Sequence, residues 1–311
     1  MIDPGVFAAG GTALGWAGTS LFFTAAGKRV GSLAVSFIRL VMGLVLLTVC
    51  VRFTGQWLAP ATPHAWFWLG LSGLVGLFLS DVCLFESFLW VGPRVSMLVM
   101  TLAPVFAATL SWIWLGETLN GWAIVGMAIV LGGIISVVIE KRVNDDGSTH
   151  THPVAGVVLA LVAAATQGIA VVLSKYGMEV DGTAQIALTP KSIEFGIAAT
   201  QIRALVALAG YFVLYPIVGW VPRTVRAFKN PAGMGFMACG AVVGPFLGVS
   251  LSMIAIARIP AGVASTIMQT SPIIVIPFVM LVHKEHISKR AIIGAIVACG
   301  GVALLSILGT H

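Results

Sequence analysis

The sequence predicts an all-α integral membrane protein, ten transmembrane helices built as two five-helix repeats of inverted topology. Three observations carry that expectation. Hydrophobic residues make up 59% of the 311 positions and charged residues only 9%, with a mean hydropathy of +1.04. A soluble domain carries about 25% charged residues, so this inventory cannot build a water-facing surface. Apolar runs of roughly the 20 residues that span a bilayer follow one another along the chain. The second half also repeats marks of the first.

Taken in order, runs bounded by Gly, Pro or charge place spans near 5–27, 32–53, 66–90, 94–115, 120–139, 154–178, 193–218, 232–257, 261–282 and 288–308. The opening Met1-Ile2-Asp3-Pro4 lacks a basic n-region, and Lys28-Arg29 follows the first run where a signal peptide would carry a cleavage motif, so that run is expected to be retained. Two connections are long, Lys141 to Pro153 and Val180 to Lys191. The first divides the chain into a repeat over 1–140, a connection over 141–153 and a repeat over 154–311.

A displacement of 168 residues, the distance from Pro104 to Pro272, also lays Gly76, Phe78 and Leu79 on Gly244, Phe246 and Leu247. The same displacement lays Glu117 on Glu285, Gly126 on Gly294, and Gly132-Gly133 on Gly300-Gly301. A slightly shorter one pairs Arg39 with Arg203. Apolar letters match easily by chance in such a composition, so the weight rests on the proline, glutamate, arginine and paired glycines. Five spans per unit is an odd number, which makes the second unit enter the membrane in the opposite sense, about a pseudo-two-fold axis in the membrane plane.

Two five-span units, an arginine early in the second span of each, the connections Leu115-Gly116-Glu117 and His283-Lys284-Glu285, and a Gly-rich fifth span resemble the EamA-type drug/metabolite transporter superfamily. The resemblance covers nearly the whole chain. It implies a ten-helix carrier that moves small metabolites, often amino acids or their relatives. Lys284 stands where the first unit has the motif glycine, a departure that touches the turn geometry of that loop. The first span contains no acid, unlike the small multidrug relatives whose antiport depends on a glutamate there. Coupling by that route is excluded, and coupling to protons or another ion by other residues stays open.

The net charge of +6 is spread over short loops with no basic stripe, which speaks for membrane orientation and against nucleic acid. Connections on the amino-terminal side hold Arg52, Lys175, Lys191 and Arg258; the opposite side holds Lys28, Arg29, Arg94, Lys141, Arg142, Arg223, Arg226, Lys229, Lys284, Lys289 and Arg290. The charge count therefore places both termini outside, whereas the resemblance implies that they are cytoplasmic. A cytoplasm-dependent reporter fused after His311 decides between the two. Cys50, Cys83, Cys239 and Cys299 are isolated in apolar runs and read as packing residues.

Ionisable groups inside a bilayer are costly and default to functional hypotheses. Arg39, Asp81, Glu86 and Arg203 qualify by depth. Arg39 in the second span lies in a layer similar to that of Asp81 and Glu86 in the antiparallel third, at about 1.5 Å rise per residue. It can meet either acid, as a registry-fixing ion pair or as a proton or substrate site. At the repeat positions of the two acids the second unit has Val249 and Ile254, so Arg203 lacks the partner Arg39 has. A substrate carboxylate or phosphate is one candidate for it, given the bidentate fork of guanidinium.

Among uncharged polar residues, Gln167, Gln201, Gln269, Thr101 and Ser265 serve either as interhelical glue or as solute contacts. Gln269 and its repeat mate Thr101 precede the matched prolines Pro272 and Pro104 by three residues, where a proline frees a carbonyl and permits a bend. Trp16 lies deep enough to stack on a planar solute, with lipid-facing or packed tryptophan as the plain alternative. The substrate-binding candidates are thus Arg203, Arg39, Asp81, Glu86, Gln269, Thr101, Gln167 and Trp16. His150 with His152 and His283 with His286 match metal spacings only loosely.

No cofactor and no ATP-binding domain is expected within this chain; the expected partners are membrane lipids and a small metabolite. The leading expectation is a secondary carrier and exporter in the plasma membrane, working by alternating access. A lipid-linked substrate flippase is the alternative on the same fold. A polytopic enzyme would need a nucleophile with its base or a metal set at membrane depth, and no GxSxG, HExxH or paired-aspartate motif appears.

Overall fold

The computed structural model describes residues 3–53, 55, 57–141, 153–180, 183–186, 193–271, 273–274 and 289–308. The chain is helical almost throughout, and among the described residues five helices are long and apolar enough to cross a membrane: Ala34–Arg52, Pro63–Leu84, Val154–Met178, Ile193–Ile217 and Pro231–Arg258. Lipid-like surroundings suit the exterior, where Phe7, Phe67, Ile113, Trp112 and Phe212 are each more than 60% exposed.

Helix α1 (Pro4–Val30) opens where Asp3 accepts a hydrogen bond from the Gly5 N–H at 2.6 Å, with Pro4 pre-set for the first turn. Gly31 turns the chain into α2 (Ser32–Arg52). Helix α3 (Pro63–Gly73) starts with a Thr62 cap followed by Pro63. It widens into a π-helical segment over Leu74–Leu79 before α4 (Ser80–Met100). Helix α5 (Ala103–Leu115) and α6 (Gly121–Lys141) complete the first unit.

The second unit runs through α7 (Pro153–Met178) and a two-residue ribbon, β1 (Glu179–Val180) with antiparallel β2 (Thr183–Ala184), to α8 (Ile193–Ile217) and the short α9 (Val221–Ala227). Helix α10 (Pro231–Ala241) again begins with a capping residue and a proline, Asn230 and Pro231. It too widens into a π segment, Val242–Gly248, before α11 (Val249–Arg258). Helices α12 (Ala261–Met268) and α13 (Lys289–Leu308) follow.

The backbone stays helical through Gly92-Pro93-Arg94, where the sequence places a break between spans. The chain nevertheless reverses there. Ser87 and Ser96 join their hydroxyls in a hydrogen bond, whereas nine residues of straight helix would hold them about 13 Å apart. The second unit breaks openly at the matching place, at Ile259 and Pro260. There Pro260 is extended at ψ 138 and caps α12 from outside.

The two units pack reciprocally. Helix α1 lies on α10, its π segment and α11, as α7 lies on α3, its π segment and α4; α2 packs on α8 and α6 on α13. A Cβ on Gly133 would sit 2.8 Å from the Ala298 backbone, and one on Gly301 would sit 2.8 Å from the Val130 backbone. Residues 130 and 298 are themselves repeat mates, so this pair of contacts maps onto itself when the units are exchanged. Helix faces this close need glycine, since interfaces in lipid are held by backbone approach and dispersion.

The histidine pairs His150/His152 and His283/His286, the Lys284-Glu285 motif, Pro272 and most of the 141–153 connection lie outside the described residues.

Candidate functional site

The second-span arginine pairs with Asp81 and not with Glu86. Arg39 donates through Nη2 to Asp81 Oδ2, both side chains less than a fifth exposed. Asp81 stands at the first turn of α4, directly after the π segment. The guanidinium also lies 5.7 Å from the centre of the Phe23 ring, and its Nε has no hydrogen-bond partner among the described residues. Glu86 is half-buried, and among the described residues it has no hydrogen-bond or ion-pair partner.

Arg39 lines a narrow crevice of about 20 Å³, room for about one water molecule. Leu40, Gly43, Leu44 and Leu47 of α2 form one wall, Thr200 and Ala204 of α8 the facing one. Leu77 and Pro245, one from each π segment, close it together with Val249. Leu77 and Pro245 are repeat mates, so the crevice sits where the two units face each other. π-helical turns recur at functional sites because the widened turn leaves backbone groups short of regular partners. Pro245 lacks an N–H, which accounts for the second widening; Leu77 has no such defect. The shared feature is a tightly packed glycine, Gly76 against the Ala170 Cβ and Gly244 against Thr19.

Arg203 also lies on α8, 3% exposed. Its Nη1 donates to the Met253 sulfur at 3.2 Å and its Nε has no partner among the described residues. Gln167 Oε1 and Arg203 Nη2 both border Gly76: a Cβ there would stand 3.6 Å from the first and 3.3 Å from the second. The remaining candidates fall elsewhere. Trp16 is half-buried and packs on Gly248, at the end of the second π segment. Thr101 is buried in the turn that interrupts the helix between α4 and α5. Gln269 occupies the matching turn after α12 and donates to the Met100 carbonyl at 2.9 Å. Gln201 is spent on the α2–α3 connection: it accepts from the Ala59 N–H at 2.8 Å and donates to Thr48 and to the Trp57 carbonyl.

One cluster escaped sequence reasoning. Glu117 of the α5–α6 loop pairs with Lys175 at the end of α7. Its other oxygen accepts from the Ala261 N–H at 2.9 Å, at the start of α12, while Lys175 donates to the Ile259 carbonyl at 2.9 Å. A first-unit carboxylate thus caps a second-unit helix, favoured by the helix dipole. Arg258 beside it reaches Asp3 at 3.2 Å. The sequence marked Glu117 as a motif residue and Lys175 only as an orienting charge; nothing local joins residues 58 positions apart.

A cation–carboxylate pair within the spans, broken helices and a crevice between two duplicated halves describe a polytopic helical membrane protein. The EamA-like transporter family model matches residues 3–139 and 154–307. This chain belongs to that family and is a multi-pass membrane transporter of small molecules; members of the family are transporters, not enzymes. No curated protein matches. A solved structure described only as a crystal structure of a protein shares the fold, with a TM-score of 0.72 at 16% identity over 99% of this chain and 98% of that one.

Proposed function

We propose that the protein is a secondary transporter that exports a small metabolite, an amino acid or a related compound, across the plasma membrane by alternating access. In this reading the chain crosses the membrane ten times, and its two five-helix units run in opposite senses. The observation that carries it is the crevice closed by Leu77 and Pro245, equivalent residues of two equivalent π segments. A carrier needs a central site that either half can expose, and a defect duplicated on both sides of one cavity supplies two equivalent places to bend. The breaks at Thr101 and Gln269 repeat that logic in the next helix pair.

Within this reading Arg39 and Asp81 border the solute path, and Glu86, half-buried and unpaired among the described residues, is a candidate proton-coupling carboxylate one turn further along α4. Gln167, Trp16, Thr101 and Gln269 surround the moving segments. Counterflow in proteoliposomes tests it: vesicles loaded with an unlabelled amino-acid and metabolite panel should accumulate the matching labelled compound. Retention of that exchange in Arg39→Gln and Asp81→Asn proteins alike would remove the crevice from the path. Absence of exchange for every compound would overturn the carrier reading.

A further inference from the structure

Arg39 and Arg203 are equivalent residues with different fates. The first has an internal counterion. The second is more deeply buried, and no carboxylate among the described residues pairs with it. An uncompensated buried cation is strongly unfavourable in a protein interior. A thioether is a weak acceptor, so Met253 relieves little of that cost. The difference traces to one position: where the first unit has Asp81, the second has Val249.

The geometry around this guanidinium is specific. Nη1 is turned to Met253, which leaves the side-on edge formed by Nε and Nη2. Nε has no partner among the described residues, and Gly76 borders Nη2. That edge presents two parallel N–H groups, the spacing a planar carboxylate accepts in bidentate fashion. Any side chain at position 76 would press on the Ala170 Cβ at 2.6 Å and on Nη2 at 3.3 Å, so only glycine fits beside this edge. Gln167 beside it brings a neutral amide able to take up a second polar group of a ligand. Met253, unbranched and flexible, can repack as a ligand arrives.

We propose that Arg203 is the anchor of a carboxylate-binding site, in which the cargo supplies the counterion that Asp81 supplies to Arg39. This rests on the transport reading above and narrows its substrates to compounds bearing a carboxylate. The first unit keeps its arginine neutralised, so the cargo's charge is read once, by the second unit.

The test uses the full chain in lipid nanodiscs, with thermal unfolding followed in acetate, benzoate or L-phenylalanine and in the matching amides. Carboxylates should raise Tm and amides should not. Arg203→Lys, which keeps the charge but loses the fork, should need about tenfold more carboxylate for the same shift. Met253→Glu places a carboxylate beside Nη1; it should abolish the response while leaving the Tm without ligand unchanged or higher. Equal stabilisation by the amides, a wild-type response in Met253→Glu, or no response to any of the three carboxylates would overturn the proposal. Counterflow separates the two readings. A neutral solute exchanged equally by wild type and Met253→Glu leaves the carrier standing and removes the carboxylate site. Carboxylate stabilisation lost in Met253→Glu, with no exchange of any compound, does the reverse.

Discussion

Asp81 is held at the turn after a π segment, and what it stabilises there is Arg39. Removing one member of a buried pair leaves the other uncompensated, which costs about 3–5 kcal/mol when burial is complete. Both side chains here keep 17–18% exposure, so Asp81→Asn should lose somewhat less, about 2–3 kcal/mol. The double variant Arg39→Gln/Asp81→Asn should recover most of that loss. Unfolding of the purified protein in mixed micelles measures the cycle, and additive losses would show that the two side chains do not act as a pair. Both residues, and Arg203 with them, were legible in the sequence, because a charge in a run of apolar letters cannot be overlooked. Their partners were not. Asp81 and Glu86 are equally plausible by depth, and only the rotation of α4 relative to α2 chooses between them. Met253 carries no sequence signal at all, since a methionine in an apolar helix is ordinary.

At the scale of elements, the interrupted helices follow one rule in both units. Leu102 bonds Val99 as Thr270 bonds Ile267, and Val105 bonds Leu102 as Ile273 bonds Thr270. Pro104 has no N–H to offer the Met100 carbonyl four residues back, and Gln269 of the other unit supplies the donor. Gln269→Leu should therefore cost about 1 kcal/mol by orphaning that carbonyl. In a Pro104→Ala background, where the backbone N–H gained at position 104 can take over, the cost should shrink toward zero. An undiminished cost there would mean that Gln269 acts elsewhere. The Glu117 cluster makes a second element-level case. Glu117→Ala removes both the cap on α12 and the partner of Lys175, an expected loss of about 1–2 kcal/mol. Glu117→Gln keeps an oxygen for the Ala261 N–H and should lose less than half as much in the same thermal-unfolding comparison. The prolines announced the breaks in the sequence. The residue that heals the break at Pro104 was hidden, because it comes from the opposite repeat.

For the whole molecule, duplication is the organising fact, and its sense in the membrane is the quantity to measure. Phe53 and Ile217 are equivalent residues just before positive-φ glycines, Gly55 at 88° and Gly219 at 67°, where only glycine turns without strain. Both are exposed, at 86% and 76%. Inverted units put them on opposite faces. In a background lacking Cys50, Cys83, Cys239 and Cys299, Phe53→Cys and Ile217→Cys should be labelled by an impermeant thiol reagent from opposite sides of sealed vesicles. Labelling from one side only would sink the inversion. The α6–α13 seam offers a packing test: Gly133→Val drives side-chain atoms into the Gly294 carbonyl, 2.6 Å from the Cβ position, and should cost about 1–3 kcal/mol.

Composition and periodicity by themselves determined that the chain lies in a bilayer, that it is a duplicated array of helices, and that a handful of charges sit where charges are expensive. Those are properties of single segments: burial of a backbone in lipid demands a helix of sufficient length whatever surrounds it. The tertiary structure decided which acid holds Arg39, that Glu117 caps a helix of the other unit, that Gln269 repairs the break at Pro104, and that the Nε edge of Arg203 is left without a partner among the described residues. Each of these depends on residues from distant stretches of chain. Pairing of that kind depends on the rotation and approach of packed helices, and a one-dimensional pattern does not encode either.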